Sequence, residues 1–117
     1  MQRQWHNAVM AVAVCIIASG CAGISGGVTA GLEDVDDTIE LLAGLKNVSV
    51  DISFQSPGKI RELIKAFGAE RVLYASDWPY GNRIPAVKAV KAACRGDWDL
   101  ERLIFYENAA TLLGMDV

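Results

Sequence analysis

Histidine and cysteine, which supply many of the metal sites in proteins, are scarce in this sequence. Its 117 residues include one histidine, His6, and three cysteines, Cys15, Cys21 and Cys94. No two cysteines form a C-x-x-C pair, so a structural zinc site made from these residues is not expected. The odd number of cysteines also argues against a disulfide framework and favours a reducing compartment.

Charge and long apolar runs are limited as well. The net charge is -3 and the basic residues form no stripe, which leaves nucleic-acid binding without electrostatic support. No apolar run reaches the roughly 20 residues that a membrane span needs. The 52% of apolar residues is enough for the core of one small domain, and residues 1–117 are taken as one unit.

The N-terminal segment, residues 1–20, has two interpretations. Arg3 precedes an apolar run from Ala8 to Ala18, and small residues then lead to Cys21. This pattern is typical of a secretory signal with a bacterial lipoprotein processing box, which would make the protein an exported lipoprotein. The run is also rich in β-branched residues and fits a buried parallel strand. We favour the strand and a cytoplasmic location, because the rest of the chain repeats a strand–loop–helix unit.

Helices and strands alternate along the remainder of the chain. Apolar residues recur at helical spacing from Leu32 to Leu45, whereas Val48 to Ser53 alternate as in a short strand. Ser56 and Pro57 then predict the start of a helix that ends at Gly68, since serine caps helices and proline suits the first helical position.

A second strand, residues 71–75, and two helical segments complete the predicted order. Pro85 is expected to open a helix that Gly96 ends, and Asp99 is expected to cap a last helical stretch that closes at Gly114. With the N-terminal strand the order is β-α-β-α-β-α-α. This alternation predicts an α/β fold with a parallel sheet and right-handed crossovers.

Polar residues follow two of the predicted strands, and Asp77 is the most prominent of them. In parallel α/β folds the functional residues collect at the C-terminal ends of strands. Asp77 comes directly after an apolar strand, and Pro79 disfavours helical geometry at Trp78. From the residues alone, a loop carboxylate that caps the following turn is the simpler explanation of Asp77.

Three segments carry a resemblance to a known family. Residues 68–81 read GAERVLYASDWPYG, residues 106–114 read YENAATLLG, and residues 47–53 read NVSVDIS. They resemble, in turn, the last barrel strand, the terminal helix and the penultimate strand of the amidohydrolase-related family of metal-dependent hydrolases and decarboxylases. The family patterns are G-x-[DE]-R-[IV]-L-[FY]-[GA]-S-D-[WY]-P and N-A-x-x-L-[LF]-G-L. The likeness covers about residues 32–117.

The resemblance implies a TIM-barrel fold and a role for Asp77. A closed (β/α)8 barrel takes about 250 residues, so this chain would form only the C-terminal portion, with about three parallel strands and flanking helices. The family aspartate that matches Asp77 binds the catalytic metal or orients and deprotonates the attacking water. Ser76 would hold this carboxylate by a hydrogen bond. Trp78 and Tyr80 would line the substrate pocket, and packing of the two aromatic rings explains them equally well.

Two further polar residues receive no catalytic role from the resemblance. Asn108 is expected to be structural and to bond backbone groups. Asp51 alternates with Ser49 and Ser53 on one face of its strand, and nothing in the family pattern gives it chemistry.

The chain departs from the family at the metal site. The family has an H-x-H pair on its first strand and a histidine near the end of a middle strand, and this sequence has neither. Catalytic zinc normally keeps three protein ligands, so Asp77 by itself is not expected to hold a metal tightly. A divalent metal, with zinc as the first choice, and a small organic acid or amide substrate are expected in the complete protein. The chain alone is expected to be inactive or nearly so.

Other expectations concern association and alternative functions. An open barrel has unpaired strand edges, which predicts self-association. The main alternative is a non-catalytic α/β module. In one form of this alternative the module is an exported lipoprotein anchored through Cys21. A flavodoxin-like domain is a weaker third interpretation, because Gly23 to Gly27 supply no recognisable phosphate loop.

Overall fold

A computed structural model describes residues 35–116 of the chain. Within this range two strands, β1 (Val50–Asp51) and β2 (Val72–Leu73), pair in parallel, with Val50 opposite Val72 and Asp51 opposite Leu73. The predicted parallel arrangement is therefore confirmed for this pair. The N-terminal apolar run and Cys21 lie outside the described residues.

Helices precede, connect and follow the two strands. Their order is α1 (Val35–Leu42), α2 (Pro57–Phe67), α3 (Arg83–Cys94), α4 (Trp98–Arg102), a π-helical turn (Leu103–Glu107) and α5 (Asn108–Leu112). Helix α2 connects β1 to β2, as the sequence predicts for a crossover between parallel strands. The last three segments follow one another without a break, and we call them together the C-terminal arm (residues 98–112).

Both strands are shorter than the predicted residues 48–53 and 71–75. After Asp51 the chain turns, since the Ser53 N–H donates to Asp51 Oδ1 at 2.8 Å and the Gln55 N–H donates to the Ile52 carbonyl at 3.1 Å. A short 3₁₀ turn (Ala69–Arg71) occupies the start of the second predicted strand. Local side-chain bonding of this kind competes with sheet pairing.

Helix α2 begins and ends as predicted. The Ser56 hydroxyl accepts a hydrogen bond from the Lys59 N–H at 3.3 Å, and Pro57 is the first helical residue. Gly68 has a positive φ of 88°, and its N–H donates to the Ile64 carbonyl. Serine, proline and glycine thus fix the limits of this helix locally.

Two predicted helix starts are wrong. Helix α3 begins at Arg83, two residues before Pro85, because Asn82 caps it. The Asn82 side-chain oxygen accepts a hydrogen bond from the Ile84 N–H at 3.0 Å. Pro85 then falls within the first turn, where its missing N–H is not needed. The cap of α4 is Asp97, whose Oδ1 accepts from the Leu100 N–H at 3.0 Å, so Asp99 is not the cap.

The core lies between the sheet and the helices that pack on it. Val50, Ile60, Leu63 and Val72 are fully buried, as the strand and helix patterns predict. The rest of the core includes Val35, Val48, Ile52, Phe67, Val90, Ala93, Cys94 and Ile104. Leu45, at the end of the first predicted helix, is instead exposed, as are Leu112 and Leu113 near the end of the last one.

The C-terminal arm covers the outer edge of β2. In the π-helical turn the Asn108 N–H donates to the Leu103 carbonyl, which releases the carbonyl of Ile104 from the usual helical pattern. That carbonyl accepts a hydrogen bond from the Tyr74 N–H at 3.0 Å. The Asn108 side-chain amide also donates to the carbonyls of Ala69 and Val72, at 2.6 and 2.9 Å. The predicted structural role of Asn108 is thereby confirmed.

Arg71 ties the start of β2 to the segment that follows α1. Its guanidinium donates to four backbone carbonyls, at distances of 2.6 to 3.3 Å, and lies 5.2 Å from the centre of the Phe67 ring. The four acceptors are Phe67, Leu45, Val48 and Ala43. A guanidinium suits this task because its five donors are held in a rigid plane.

Candidate functional site

Asp51 ends β1 at the carboxyl end of the sheet. Its side chain is partly buried, and its Oδ1 accepts from the backbone of Ser53 at 2.8 Å. Burial raises the pKa of the Asp51 carboxyl from 3.8 to about 6; hydrogen bonding by the Ser53 backbone and side chain lowers it, and the nearby charge of Asp77 raises it. Asp51 and Asp77 therefore act on each other across the ends of the two strands.

Ser53 lies in the turn after β1 and is fully buried. Within residues 35–116 its hydroxyl lies near enough to the Asp51 carboxyl to lower the pKa of that group, but the geometry falls short of a regular hydrogen bond. Buried hydroxyls are normally bonded, so this group stands out at the strand end.

Asp77 follows β2 in the left-handed region, with φ of 56°. It is partly buried, and its Oδ2 atom is shielded from solvent. Its backbone carbonyl accepts from the Gly81 N–H at 2.8 Å, which closes the loop that carries the side chain. Non-glycine residues with positive φ are uncommon and cluster at functional sites.

Gly81 brings the loops after β1 and β2 together. It is buried, and a Cβ atom added there would overlap the backbone carbonyl of Ser76 and approach the Phe54 ring to 3.2 Å. Phe54 is a second non-glycine residue with positive φ, 63°. The two loops therefore pack closely only because position 81 has no side chain.

The predicted pocket residues are the most exposed part of this region. Trp78 and Tyr80 are 65% and 64% exposed, and Phe54, on the other loop, is 57% exposed. The guanidinium of Arg83 lies 4.9 Å from the centre of the Trp78 ring, a cation–π arrangement. A role for Trp78 and Tyr80 in binding substrate stays a prediction.

The structure thus brings Asp77 together with a residue that sequence reasoning set aside. Ser76 is adjacent and partly buried, and its hydrogen bond to the Asp77 carboxylate stays a prediction. Asp51 and Ser53 were placed on a polar strand face, whereas both are withdrawn from solvent at the strand end. The only sequence signal for them was their position, like that of Asp77, directly at the end of an apolar strand.

A complete metal site is not found within residues 35–116. No group of three or more histidine, cysteine, aspartate or glutamate side chains in this range is arranged to hold a metal ion. In the same range no helix is long and apolar enough to cross a bilayer.

Comparison with known proteins yields one match. Residues 13–115 match the model of a protein family described as amidohydrolase, and the match includes most of the apolar run as well as both loops of the site. No curated protein and no solved structure matches the chain.

Proposed function

Since the chain belongs to the amidohydrolase family, which has a TIM-barrel fold and commonly uses divalent metals, we propose that it forms the C-terminal part of a metal-dependent hydrolase or decarboxylase barrel. In this proposal Asp77 supplies a carboxylate to the active site of the complete enzyme. The observation that carries it is the position of Asp77 in the loop that leaves the carboxyl end of β2, near enough to Asp51 for its charge to act on that carboxyl. That end of a barrel sheet is where active sites lie.

The fit of a metal to this chain is partial. Carboxylate oxygens bind divalent cations well, but the described residues provide no set of three ligands. The remaining ligands would have to come from outside residues 35–116. The role proposed for Asp77 is therefore that of one carboxylate within a larger site.

Two observations support the barrel over the non-catalytic alternative. The family match begins at residue 13, so it includes residues that a signal cleaved before Cys21 would remove. The pairing of β1 with β2 is parallel, as neighbouring strands of such a barrel are. The lipoprotein hypothesis rests on Cys21, which lies outside the described residues.

Replacement of Asp77 by asparagine tests the proposal. The test uses the complete enzyme that contains this chain. There Asp77→Asn should lower turnover of the amide or acid substrate by about 100-fold or more, while an unchanged circular dichroism spectrum shows that the fold is kept. Asp97→Asn is the matched control, because asparagine caps a helix as well as aspartate does. Near-normal turnover by Asp77→Asn would refute the assignment.

A further inference from the structure

The strand β2 presents different backbone groups to its two sides. Successive residues of a strand point their N–H and C=O groups to alternate sides within the sheet. Leu73 faces β1, since its carbonyl accepts a hydrogen bond from the Ile52 N–H at 3.2 Å. Val72 and Tyr74 therefore face the opposite side, and theirs are the groups that the C-terminal arm engages.

The C-terminal arm supplies one donor and one acceptor to this edge of β2. The Asn108 side-chain amide donates to the Val72 carbonyl at 2.9 Å, and the Ile104 carbonyl accepts from the Tyr74 N–H at 3.0 Å. In a parallel sheet, a single residue of the neighbouring strand makes this same pair of bonds with its own N–H and C=O. The C-terminal arm thus takes the place of one residue of a parallel strand.

Few side chains hold the C-terminal arm in this position. Three residues within 98–112 are buried: Ile104, Asn108 and Ala110. Directly before it, Arg95 and Gly96 both have positive φ, 54° and 85°. A short turn between two helices is where a hinge can absorb a change of direction. The C-terminal arm can therefore leave β2 while α3 keeps its place.

A closed barrel has no room for the C-terminal arm at this edge. Every strand of a (β/α)8 barrel lies between two parallel neighbours, and β1 is one neighbour of β2. A second neighbour needs the Tyr74 N–H, which has a single hydrogen to donate and already gives it to Ile104. The side chain of Ile104 is fully buried in the core, so a strand that replaces it has to be apolar.

We propose that the β2 edge under the C-terminal arm is the binding surface for an apolar parallel strand, the one that closes the barrel of the complete enzyme, and that this strand displaces the C-terminal arm. The inference rests on the proposed function, because a closed barrel is what gives β2 a second neighbour. It goes beyond that function by giving the chain two states, with the C-terminal arm on β2 before the barrel closes and off β2 afterwards.

Hydrogen exchange of the Tyr74 amide tests this displacement. In the 117-residue chain alone, release of the C-terminal arm exposes the Tyr74 N–H, whereas the Ile52 N–H stays bonded to Leu73 until the sheet opens. After correction for neighbouring side chains, Tyr74 should exchange about tenfold or more faster than Ile52 in the chain alone. In the complete enzyme the two rates should agree within about threefold, since both amides then lie between strands. Equal rates in the chain alone would overturn the proposal, because the C-terminal arm would then open only with the whole fold.

Asn108→Ala provides an independent measurement. The variant removes the donor to Val72, so exchange at Tyr74 in the chain alone should become about tenfold faster. In the complete enzyme, where the strand has replaced the C-terminal arm, the same variant should change this rate by less than about twofold. Asn82→Ala, which removes the cap of α3, is the matched control and should leave the Tyr74 rate unchanged in both proteins.

An equal acceleration by Asn108→Ala in both proteins would refute the proposal, because the C-terminal arm would then still hold this edge in the complete enzyme. If Asn108→Ala does not fold, the comparison of Tyr74 with Ile52 in the unmodified proteins decides the question. Neither measurement depends on turnover. A negative result therefore leaves the role of Asp77 to be judged by Asp77→Asn alone.

Discussion

The carboxyl group of Asp51 lies close enough to Asp77 for the charge of Asp77 to raise its pKa. Burial is the larger cause, and together they outweigh the hydrogen bonding by Ser53. Asp51 ends β1, whereas Asp77 lies in the loop after β2, four residues beyond Leu73 and 26 positions from Asp51 in the sequence. The carboxyl end of the sheet is consequently a place where an added negative charge costs free energy.

Stability should decrease as Asp51 ionises. Its pKa is about 6 in the folded chain against 3.8 ordinarily, so the folded state holds the proton more tightly between these values. The protonated Asp51 carboxyl therefore contributes about 3 kcal/mol to the free energy of unfolding. This contribution is fully present below about pH 4 and is lost as the pH rises through 6. Urea unfolding of the chain and of Asp51→Asn at pH 4 to 8 measures it. The difference in unfolding free energy should grow in favour of asparagine over that window, and a constant difference would contradict the assignment.

Gly81→Ala should destabilise the loops of the site. The new Cβ atom would overlap the Ser76 carbonyl and crowd the Phe54 ring, so the loops must separate. We expect a loss of about 2 kcal/mol in unfolding free energy, measured by thermal or urea denaturation. Gly44→Ala is the control, since no atom lies within 4 Å of a Cβ there. Equal stability of the two variants would show that the close approach at Gly81 is unimportant.

Arg71→Lys should be destabilising although it keeps the charge. Lysine is a compact ammonium and cannot reproduce four bonds to separate carbonyls from one planar group. Loss of these bonds should cost about 2 kcal/mol. Arg95→Lys, at an exposed position, should change the unfolding free energy by less than about 0.5 kcal/mol. If both variants unfold at the same urea concentration, the Arg71 bonds contribute little.

Asn108→Asp tests whether the hydrogen bonds of the Asn108 amide stabilise the fold. The amide donates to two carbonyls, and a carboxylate there would turn both contacts into repulsions within a buried site. We expect a loss of about 3 kcal/mol at pH 7, partly recovered at pH 4 as the new carboxyl is protonated. Asn82→Asp, at the cap of α3, is the matched control and should be near neutral. An unchanged unfolding free energy for Asn108→Asp would show that Asn108 does not stabilise the cover over β2.

Features set by a few adjacent residues could be predicted from the sequence. Ser56, Pro57 and Gly68 determine the ends of α2 through bonds that span at most four positions. The helix starts at Asn82 and Asp97 were missed because a nearby proline and a second aspartate offered equally plausible signals. Local rules rank such candidates poorly when two lie within three residues of each other.

Features set by distant contacts could not be predicted. Asp51 was set aside because alternation places it on a polar face, whereas in the fold it is partly buried and under the influence of Asp77, 26 positions away. The π-helical turn has no sequence pattern of its own; it follows from the bond between Ile104 and Tyr74, 30 positions apart. Asp77 was found only through the family resemblance, since its local sequence also fits an ordinary loop.

The cover that the C-terminal arm gives β2 limits how copies of this sheet can join. New strands add to a sheet through backbone groups left free along an edge. On the β2 edge, Asn108 engages the Val72 carbonyl, and Ile104 engages the N–H of Tyr74, the residue after β2. An open fibre of stacked sheets needs a receptive edge on both sides of every copy. Within residues 35–116 the β2 edge is closed in this way, so growth into a fibre through that side is blocked.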